Sequence, residues 1–400
     1  MRVAFPASNF LNPDDIKSWS GLPFFIRRAL VNAGLEIVTI PLADEIDRGG
    51  QLTRFLYWRW LRGKRYLRYY SDRLLKGYAR QMERYLAENP VDVVFSPSTW
   101  PIAHLETKLP VVFWTDACFA GMLDFYESFT NLAQPSIQAG HAAEQEALDR
   151  CTCAIYSSHW AAQTVVRHYQ VESSRIAVVP FGGNFLEPPT VEEARAGVQA
   201  RDMSQCNLLL VGVDWKRKGA DVAVETVEAL NAAGLNARLV VVGCTPPSSQ
   251  RLPACVEIIP FIGKETIEHR RQLAELYRRS HFFIMPSRAE AFGIVFAEAS
   301  AFGVPCLATR VGGLPSVISD GINGRLFPLG AGSTEYADYI RKYMQSPARY
   351  HQLALRTAED AALRLSWNVS GRKVAEIFDE IVRQRTAVSR PDQTVVAAES

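Results

Sequence analysis

No stretch of this chain approaches the roughly twenty consecutive apolar residues that a bilayer-spanning helix needs. The opening Met1-Arg2-Val3-Ala4-Phe5-Pro6 lacks the apolar core of a secretion leader, so a cytoplasmic location is the default expectation. Metal-binding clusters are equally scarce. The seven cysteines, at 118, 151, 153, 206, 244, 255 and 306, are odd in number and mostly embedded in apolar runs, so they read as reduced core residues. Cys151-Thr152-Cys153 is too closely spaced for an ordinary zinc pair, and no Cys or His cluster stands ready to complete one. The motif D-x-D occurs nowhere, and no segment repeats at a fixed period. Nor is there an excess of one charge. The 44 Lys and Arg against 42 Asp and Glu leave a net +2, too little for a global field that would gather nucleic acid.

What the chain does have is core. Its 400 residues are 48% hydrophobic and 22% charged, a globular composition with more length than one typical core uses, so two domains are the natural division. Strand candidates alternate with helical stretches in two series, the pattern of doubly wound α/β halves. The first series runs through Arg2-Val3-Ala4-Phe5, Glu36-Ile37-Val38-Thr39-Ile40, 91–96, 111–115, 154–157 and 175–180. The second opens at Asn207-Leu208-Leu209-Leu210-Val211-Gly212 and continues through 237–243 and 256–260. The domains are accordingly placed at 1–195 and 205–367, with the Pro188-Pro189 stretch over 187–204 as linker. A terminal helix is expected over 368–385, and 386–400, without apolar periodicity, as a mobile tail.

The most informative segment is Ser287-Arg288-Ala289-Glu290-Ala291-Phe292-Gly293-Ile294-Val295-Phe296-Ala297-Glu298. A short apolar run stopped by Pro286 precedes it, a Gly-containing turn follows, and Ile294 opens a helical pattern. In an open parallel sheet, ligands collect beyond the carboxyl ends of strands, where free amides at a helix start meet anions or polar sugars. Glu290 falls at such a place, and Glu298 lies about two helical turns further on. Two readings stay open from spacing alone. The acids span an extended ligand, or they are one helix-start acid favoured by the macrodipole and one surface acid. A second Gly-rich turn, Arg310-Val311-Gly312-Gly313-Leu314-Pro315, would open onto the same edge, its glycines permitting close backbone approach. A third motif, Val211-Gly212-Val213-Asp214-Trp215-Lys216-Arg217-Lys218-Gly219, sends an apolar strand into three successive cations just before a helix. Positive charge beside free amides suits a diphosphate, and a solvated basic turn is the plain alternative.

Taken together, Glu290 and Glu298, Phe292-Gly293, Gly303-Val304-Pro305, Gly312-Gly313 and Asn323-Gly324 resemble the signature region of family-4 retaining glycosyltransferases. The match covers about forty residues, and the first half follows only in scattered segments. The resemblance implies the GT-B fold: α/β, with two Rossmann-like doubly wound domains facing a central cleft. The N-terminal domain would bind the acceptor and the C-terminal domain a nucleotide sugar, with the last helix returning to the N-terminal domain. It implies retaining, metal-independent transfer from a nucleotide diphosphate sugar to an acceptor hydroxyl, in glycan or glycolipid synthesis, with no further cofactor. Glu290 would orient donor-sugar hydroxyls and Glu298 would bind the ribose. Arg217, Lys218, Phe292, Gly293, Ile294, Gly312 and Gly313 would line the donor site. Val213 stands where the family has an arginine, leaving Arg217 as the nearest substitute. In the N-terminal half, Trp19-Ser20-Gly21 resembles the first glycine loop with one glycine fewer, so Gly21 is a donor-contact candidate. Asp116, after the apolar run ending at Thr115, takes the place of a family histidine near the reacting sugar. It is a catalytic candidate or a simple cap. A sugar-nucleotide epimerase and a non-catalytic nucleotide-sugar-binding protein share this architecture. A glycan phosphorylase would need a cofactor lysine for which no motif appears.

The most unusual composition lies between Arg54 and Arg80, with nine Lys and Arg, one acid at Asp72, and seven interleaved Tyr and Trp. Cations with aromatics suit an anionic membrane surface or an acceptor. An amphipathic helix covering the N-terminal sheet would show the same residues.

Overall fold

The computed structural model describes residues 1–44, 48–249 and 251–388. The chain divides into two compact units. One comprises the described residues of Met1–Ile155, Val165–Val179 and 371–388, the other those of Tyr156–Thr164 and Pro180–Ser370.

In order along the first half lie β1 (Arg2–Ala7), α1 (Leu22–Asn32), β2 (Glu36–Pro41), α2 (Arg48–Leu56), α3 (Asp72–Glu88), β3 (Val93–Ser96), β4 (Val111–Thr115), α4 (Phe119–Met122), α5 (Gln134–Arg150), β5 (Cys153–Tyr156), α6 (His159–His168) and β6 (Ile176–Val178). The six strands form one sheet in the order β2-β1-β3-β4-β5-β6, with β1 parallel to β2 and β3, and β3 parallel to β4. Strands β3 and β4 are buried at every position. That is why they read as unbroken apolar runs: helices cover both faces of a parallel sheet, and no strand face is left for polar residues.

The second half holds α7 (Val191–Gln199), β7 (Cys206–Val211), α8 (Ala220–Ala232), β8 (Ala237–Val242), β9 (Val256–Ile259), α9 (Ile267–Arg279), β10 (Phe282–Met285), α10 (Ile294–Ala301), β11 (Cys306–Thr309), α11 (Leu314–Val317), β12 (Gly324–Phe327), α12 (Ser333–Met344), α13 (Pro347–Arg364) and α14 (Trp367–Val388). Its sheet runs β12-β11-β10-β7-β8-β9. Counted within the unit, this is the Rossmann order 3-2-1-4-5-6. Each unit is thus a doubly wound α/β sheet, as the alternation of apolar and helical stretches implied.

Residues 187–204, expected as a linker, instead carry α7. A capping box starts it, with the Thr190 hydroxyl accepting from the Glu193 amide and the Glu193 carboxylate accepting from the Thr190 amide. Two orphan amides are satisfied reciprocally, and Ala194 and Val198 then bury against the unit. Arg201, only 7% exposed, secures the segment by donating to the carbonyls of Gly303 and Phe302 at 2.7 Å each and to the Tyr350 hydroxyl at 2.8 Å. The Pro-Pro and small residues masked a T-x-x-E signal that was present.

From Gly371, α14 belongs to the first unit. A Cβ at Gly371 would lie 2.4 Å from the Ala29 carbonyl oxygen, and the Phe378 ring sits 5.8 Å from that of Phe95. The helix continues through Val388, and the rest of the segment expected as a tail, 389–400, lies outside the described residues. The basic-aromatic stretch is not one helix: α2 gives way to a π-helical turn at Tyr57–Leu61, and α3 begins only at Asp72.

His281, 1% exposed, accepts the Asn207 amide on Nδ1 at 3.1 Å. Burial, then the Arg201 guanidinium, pushes its imidazole down from 6.5 to about 4. Above pH 6.5 folded and unfolded chains are both neutral here. Below it the unfolded chain takes a proton the folded one refuses, so stability falls with pH until about 4, by on the order of 3 kcal/mol in all. Thermal melts across pH 4 to 7 should therefore show a loss for wild type that is shallower in His281→Asn.

Candidate active site

In the second unit the strand order reverses where β7 and β10 lie side by side, and ligands of open α/β sheets collect beyond the carboxyl ends of strands at such a point. Strand β7 feeds the basic turn and β10 feeds the Glu290 turn. Gly219 lets the two meet: its φ is +71°, and a Cβ there would stand 2.2 Å from the Pro286 carbonyl oxygen. Gly212 leaves room for the Lys218 stem to fold across it, since a Cβ would lie 2.9 Å from Lys218 Cγ.

Lys218 and Glu290 are 7% and 8% exposed, and Nζ meets Oε2 at 2.5 Å. Arg217 stands on the same carboxylate, 3.6 Å from Oε2, while donating to the Ala289 carbonyl at 3.1 Å. Asp214 accepts the Arg217 amide at 2.9 Å and fixes the turn. Val213 is 63% exposed, so Arg217 and Lys218 together supply the positive charge beside Glu290.

The second glycine turn backs this loop. Gly313 donates its amide to the Glu290 carbonyl at 3.1 Å, and a Cβ there would stand 1.9 Å from the Ala291 carbonyl oxygen. Gly312 has φ +50°. Gly293, with φ +87°, caps the start of α10 and packs where a Cβ would strike Phe296 and Leu314. The amides of half-buried Ile294 and of Val295 then head the helix without intrahelical acceptors. The Phe292 side chain, by contrast, is 1% exposed, with its ring 5.3 Å from Phe181. It is a core group, and only its backbone is available to a ligand.

Glu298 is 1% exposed on α10. Its carboxylate is ion-paired with Lys264 and accepts from the Tyr277 hydroxyl at 3.0 Å and the Asn184 amide at 3.3 Å. Asn184 in turn accepts from the Trp367 indole at 2.9 Å. Burial first, and the Glu298 charge second, hold the Tyr277 phenol well above its usual range, so it stays a donor. Lys264 also lies 5.6 Å from the Phe185 ring centroid. The two acids therefore sit on separate lysines. Lys264, Tyr277 and Asn184 were not anticipated; the local signals are Gly263-Lys264 after an apolar pair and the glycine turn Pro180-Phe181-Gly182-Gly183-Asn184.

In the first unit, Gly21 caps α1 with φ +83°. Trp19 and Ser20 before it are also left-handed, with φ +42° and +58°. Asp116 follows β4, half-buried. The same unit holds an unforeseen carboxylate, Glu144, 2% exposed on α5, which accepts from the Thr99 hydroxyl at 3.2 Å and the Phe119 amide at 3.4 Å. Among the described residues no three His, Cys, Asp or Glu gather to hold a metal.

Two Rossmann-like units, one with a cationic turn and glycine-cleared amides at its switch point, define the GT-B class. Family models agree: "Glycosyl transferases group 1" matches residues 205–346 and "Glycosyltransferase Family 4" matches 26–183, together three quarters of the chain. The chain belongs to these group 1, family-4-type glycosyltransferases. A D-inositol 3-phosphate glycosyltransferase of Xylanimonas cellulosilytica is 29% identical over 266 residues, covering 63% of each chain. This chain spans less than two thirds of the length of the first such relatives. Among solved structures, sucrose-phosphate synthase of Thermosynechococcus elongatus superposes with a TM-score of 0.67 at 18% identity, over 96% of this chain and all of that one. Anabaena HepE in complex with UDP-glucose gives 0.59 at 14%, over 95% and all. At these identities the structures show a shared fold.

Gly313→Ala should lower the melting temperature by an amount equivalent to about 1–3 kcal/mol, because the Ala291 carbonyl has to move. Gly330, with nothing within 4 Å of a Cβ, is the matched control whose alanine variant should melt like wild type.

Proposed function

We propose that this protein transfers a glycosyl group from a nucleoside diphosphate sugar to an acceptor hydroxyl with retention at the anomeric carbon. The observation that carries the proposal is the pairing of Lys218 and Arg217 with Glu290 at the switch point of the second unit. The bond from the anomeric carbon to the β-phosphate oxygen breaks, and the acceptor oxygen bonds to the same face. The acceptor proton passes to the departing phosphate. Lys218, Arg217 and the amides heading α10 stabilise the charge that develops on that phosphate, preorganised at no cost during reaction. Glu290 orients donor-sugar hydroxyls. Glu298 meets the ribose, with a lone pair to spare because a carboxylate offers about four acceptor sites. Two acids so employed are not the acid and nucleophile of a glycosidase. The curated relatives are D-inositol 3-phosphate glycosyltransferases by name, which favours a hydroxyl on a small polyol acceptor; glycan or glycolipid synthesis is the wider setting we propose.

Product analysis after incubation with a panel of nucleotide sugars, with and without acceptors, tests this. Transfer should require acceptor, whereas an epimerase converts donor alone and a binding protein converts nothing. Glu290→Gln and Lys218→Ala should each lower turnover about a hundredfold or more. Unchanged transfer in both variants would overturn the assignment.

We further propose that α2 and the turn after it rest on an anionic membrane surface, which would place the enzyme at its cytoplasmic face. No helix among the described residues is long and apolar enough to cross a membrane. Yet Trp60 and Leu61 are 78% and 76% exposed beside exposed Leu52, Leu56 and Tyr57, with Arg54, Arg59 and Arg62 between them. Exposed aromatic and aliphatic side chains flanked by cations suit a headgroup interface. Arg65 is otherwise engaged, paired with Glu127 at 2.6 Å. Sedimentation with phosphatidylglycerol-containing liposomes should pull down wild type. Retention of binding by Arg59→Gln/Trp60→Ser/Arg62→Gln would contradict the membrane role.

A further inference from the structure

The site around Glu290 lies past the carboxyl ends of the second unit's strands, and the opposite edge of the same sheet carries a cavity of a different kind. The turn over 318–323 leads into β12, and the Asn323 carbonyl accepts the Cys306 amide at 2.9 Å where β11 begins. That turn therefore stands at the amino ends of both strands. Beside it α12 ends and α13 starts. Gly321, Lys342 and Tyr343 enclose a cavity of about 190 Å³ together with Arg349, Gln352 and Arg356 of α13, and buried Leu353 forms part of its wall. Positions 349, 352, 353 and 356 recur at the spacing that puts side chains on one stripe of a helix. Arg349 and Arg356 stand two turns apart, roughly 10 Å along the axis, a gap that two long guanidinium side chains close on a single group between them.

The charge around this cavity is one-sided. From Arg310 to Arg364 the chain has seven Lys and Arg and five Asp and Glu, and every one of those acids is already engaged. Asp320 holds Arg310 at 3.0 Å and Arg325 at 3.4 Å, Asp338 holds Arg341 at 2.9 Å, and Asp360 holds Arg364 at 2.6 Å. Glu359 pairs with Arg195 at 3.4 Å, and Glu335 accepts the Gly332 amide at 3.1 Å. Lys342, Arg349 and Arg356 remain, and among the described residues none of the three has a carboxylate partner. They are also the three cations that line the cavity. Arg349 lies in the first turn of α13, a turn without an acid, where the helix macrodipole disfavours a cation. Like charges gathered around one small space repel one another unless an anion enters it.

We propose that this cavity binds a phosphate group, free or carried on a small molecule, at a site separate from the one around Glu290. Two guanidinium forks donate paired hydrogen bonds to phosphate oxygens, and an ammonium adds a point charge. Three positive charges with no acid between them match an anion of two or more charges better than a lone carboxylate. At about 190 Å³ the space is smaller than the roughly 300–1,000 Å³ of pockets that enclose a drug-sized ligand, so the phosphate enters and whatever carries it stays outside. None of the residues set around Glu290 or Glu298 takes part, and the site is independent of the transferase reading.

Calorimetric titration of the full chain with inorganic pyrophosphate and inorganic phosphate at low ionic strength tests this, on wild type and on Lys342→Gln/Arg349→Gln/Arg356→Gln. The three side chains are exposed, so the variant should melt like wild type. Wild type should bind pyrophosphate with a component that added salt weakens and that the triple substitution weakens at least about tenfold, while UDP affinity stays unchanged. Sedimentation with phosphatidic acid liposomes, in the Arg59→Gln/Trp60→Ser/Arg62→Gln background, identifies the carrier. Sedimentation that the three glutamines abolish assigns a lipid headgroup, and sedimentation that they leave unaltered assigns a soluble phosphate. The proposal is overturned if wild type binds no pyrophosphate, or if the triple variant gives the wild-type isotherm. A parallel loss of UDP affinity in the triple variant would overturn it too, by making these cations part of the site at the other edge.

Discussion

The buried ion pair between Lys218 and Glu290 is the interaction around which the second unit's switch-point edge is organised. A buried charge is tolerated only beside a counter-charge and in good geometry. Glu290 supplies the counter-charge through its side chain and, through its carbonyl, receives the Gly313 amide. One residue therefore joins the turns that follow β7, β10 and β11. Removing Glu290 leaves the Lys218 charge buried without its partner, a loss of roughly 3–5 kcal/mol in comparable cases, whereas removing Lys218 leaves Arg217 still beside the carboxylate. The glycines at 219, 293 and 313 are the steric counterpart, since a Cβ at any of them meets a carbonyl or a packed side chain.

A second pair, Lys264 with Glu298, repeats the chemistry with a different consequence. Glu290 lies in a loop with two cations near it; on the proposed reading a diphosphate would draw on Arg217 and Lys218 while the acid turns to hydroxyls. Glu298 is enclosed by Lys264, Tyr277 and Asn184, and its network ties α9, α10 and the segment around Asn184. The two acids share a spacing in sequence and differ in environment. The loop acid is poised for exchange of partners, and the helical acid is first a fastening.

The architecture was largely legible in the chain because central parallel strands must be apolar on both faces, and each such run became a strand of the expected sheet. Glu290, Lys218 and the glycine pair stood in compact local motifs and were recognisable for that reason. Lys264 was not, because it reaches Glu298 across 34 residues and its meaning exists only in the tertiary pairing. Phe292 fell within a true motif, yet its ring packs inward on Phe181. Composition singled out 54–80 correctly as unusual but did not show the π-helical break at Tyr57 or the tie between Arg65 and Glu127.

If the Lys218 ammonium is preorganised for the distal phosphate of a nucleotide donor, the number of phosphates should govern affinity. Calorimetric titration with UDP and UMP, on wild type and on Lys218→Met, measures this directly. The account predicts at least about tenfold tighter binding of the diphosphate by wild type, in line with a charge-assisted bond of some 1.5–3 kcal/mol, and loss of that preference in the variant. Equal affinity for the two nucleotides, or a preference that survives the substitution, would contradict it.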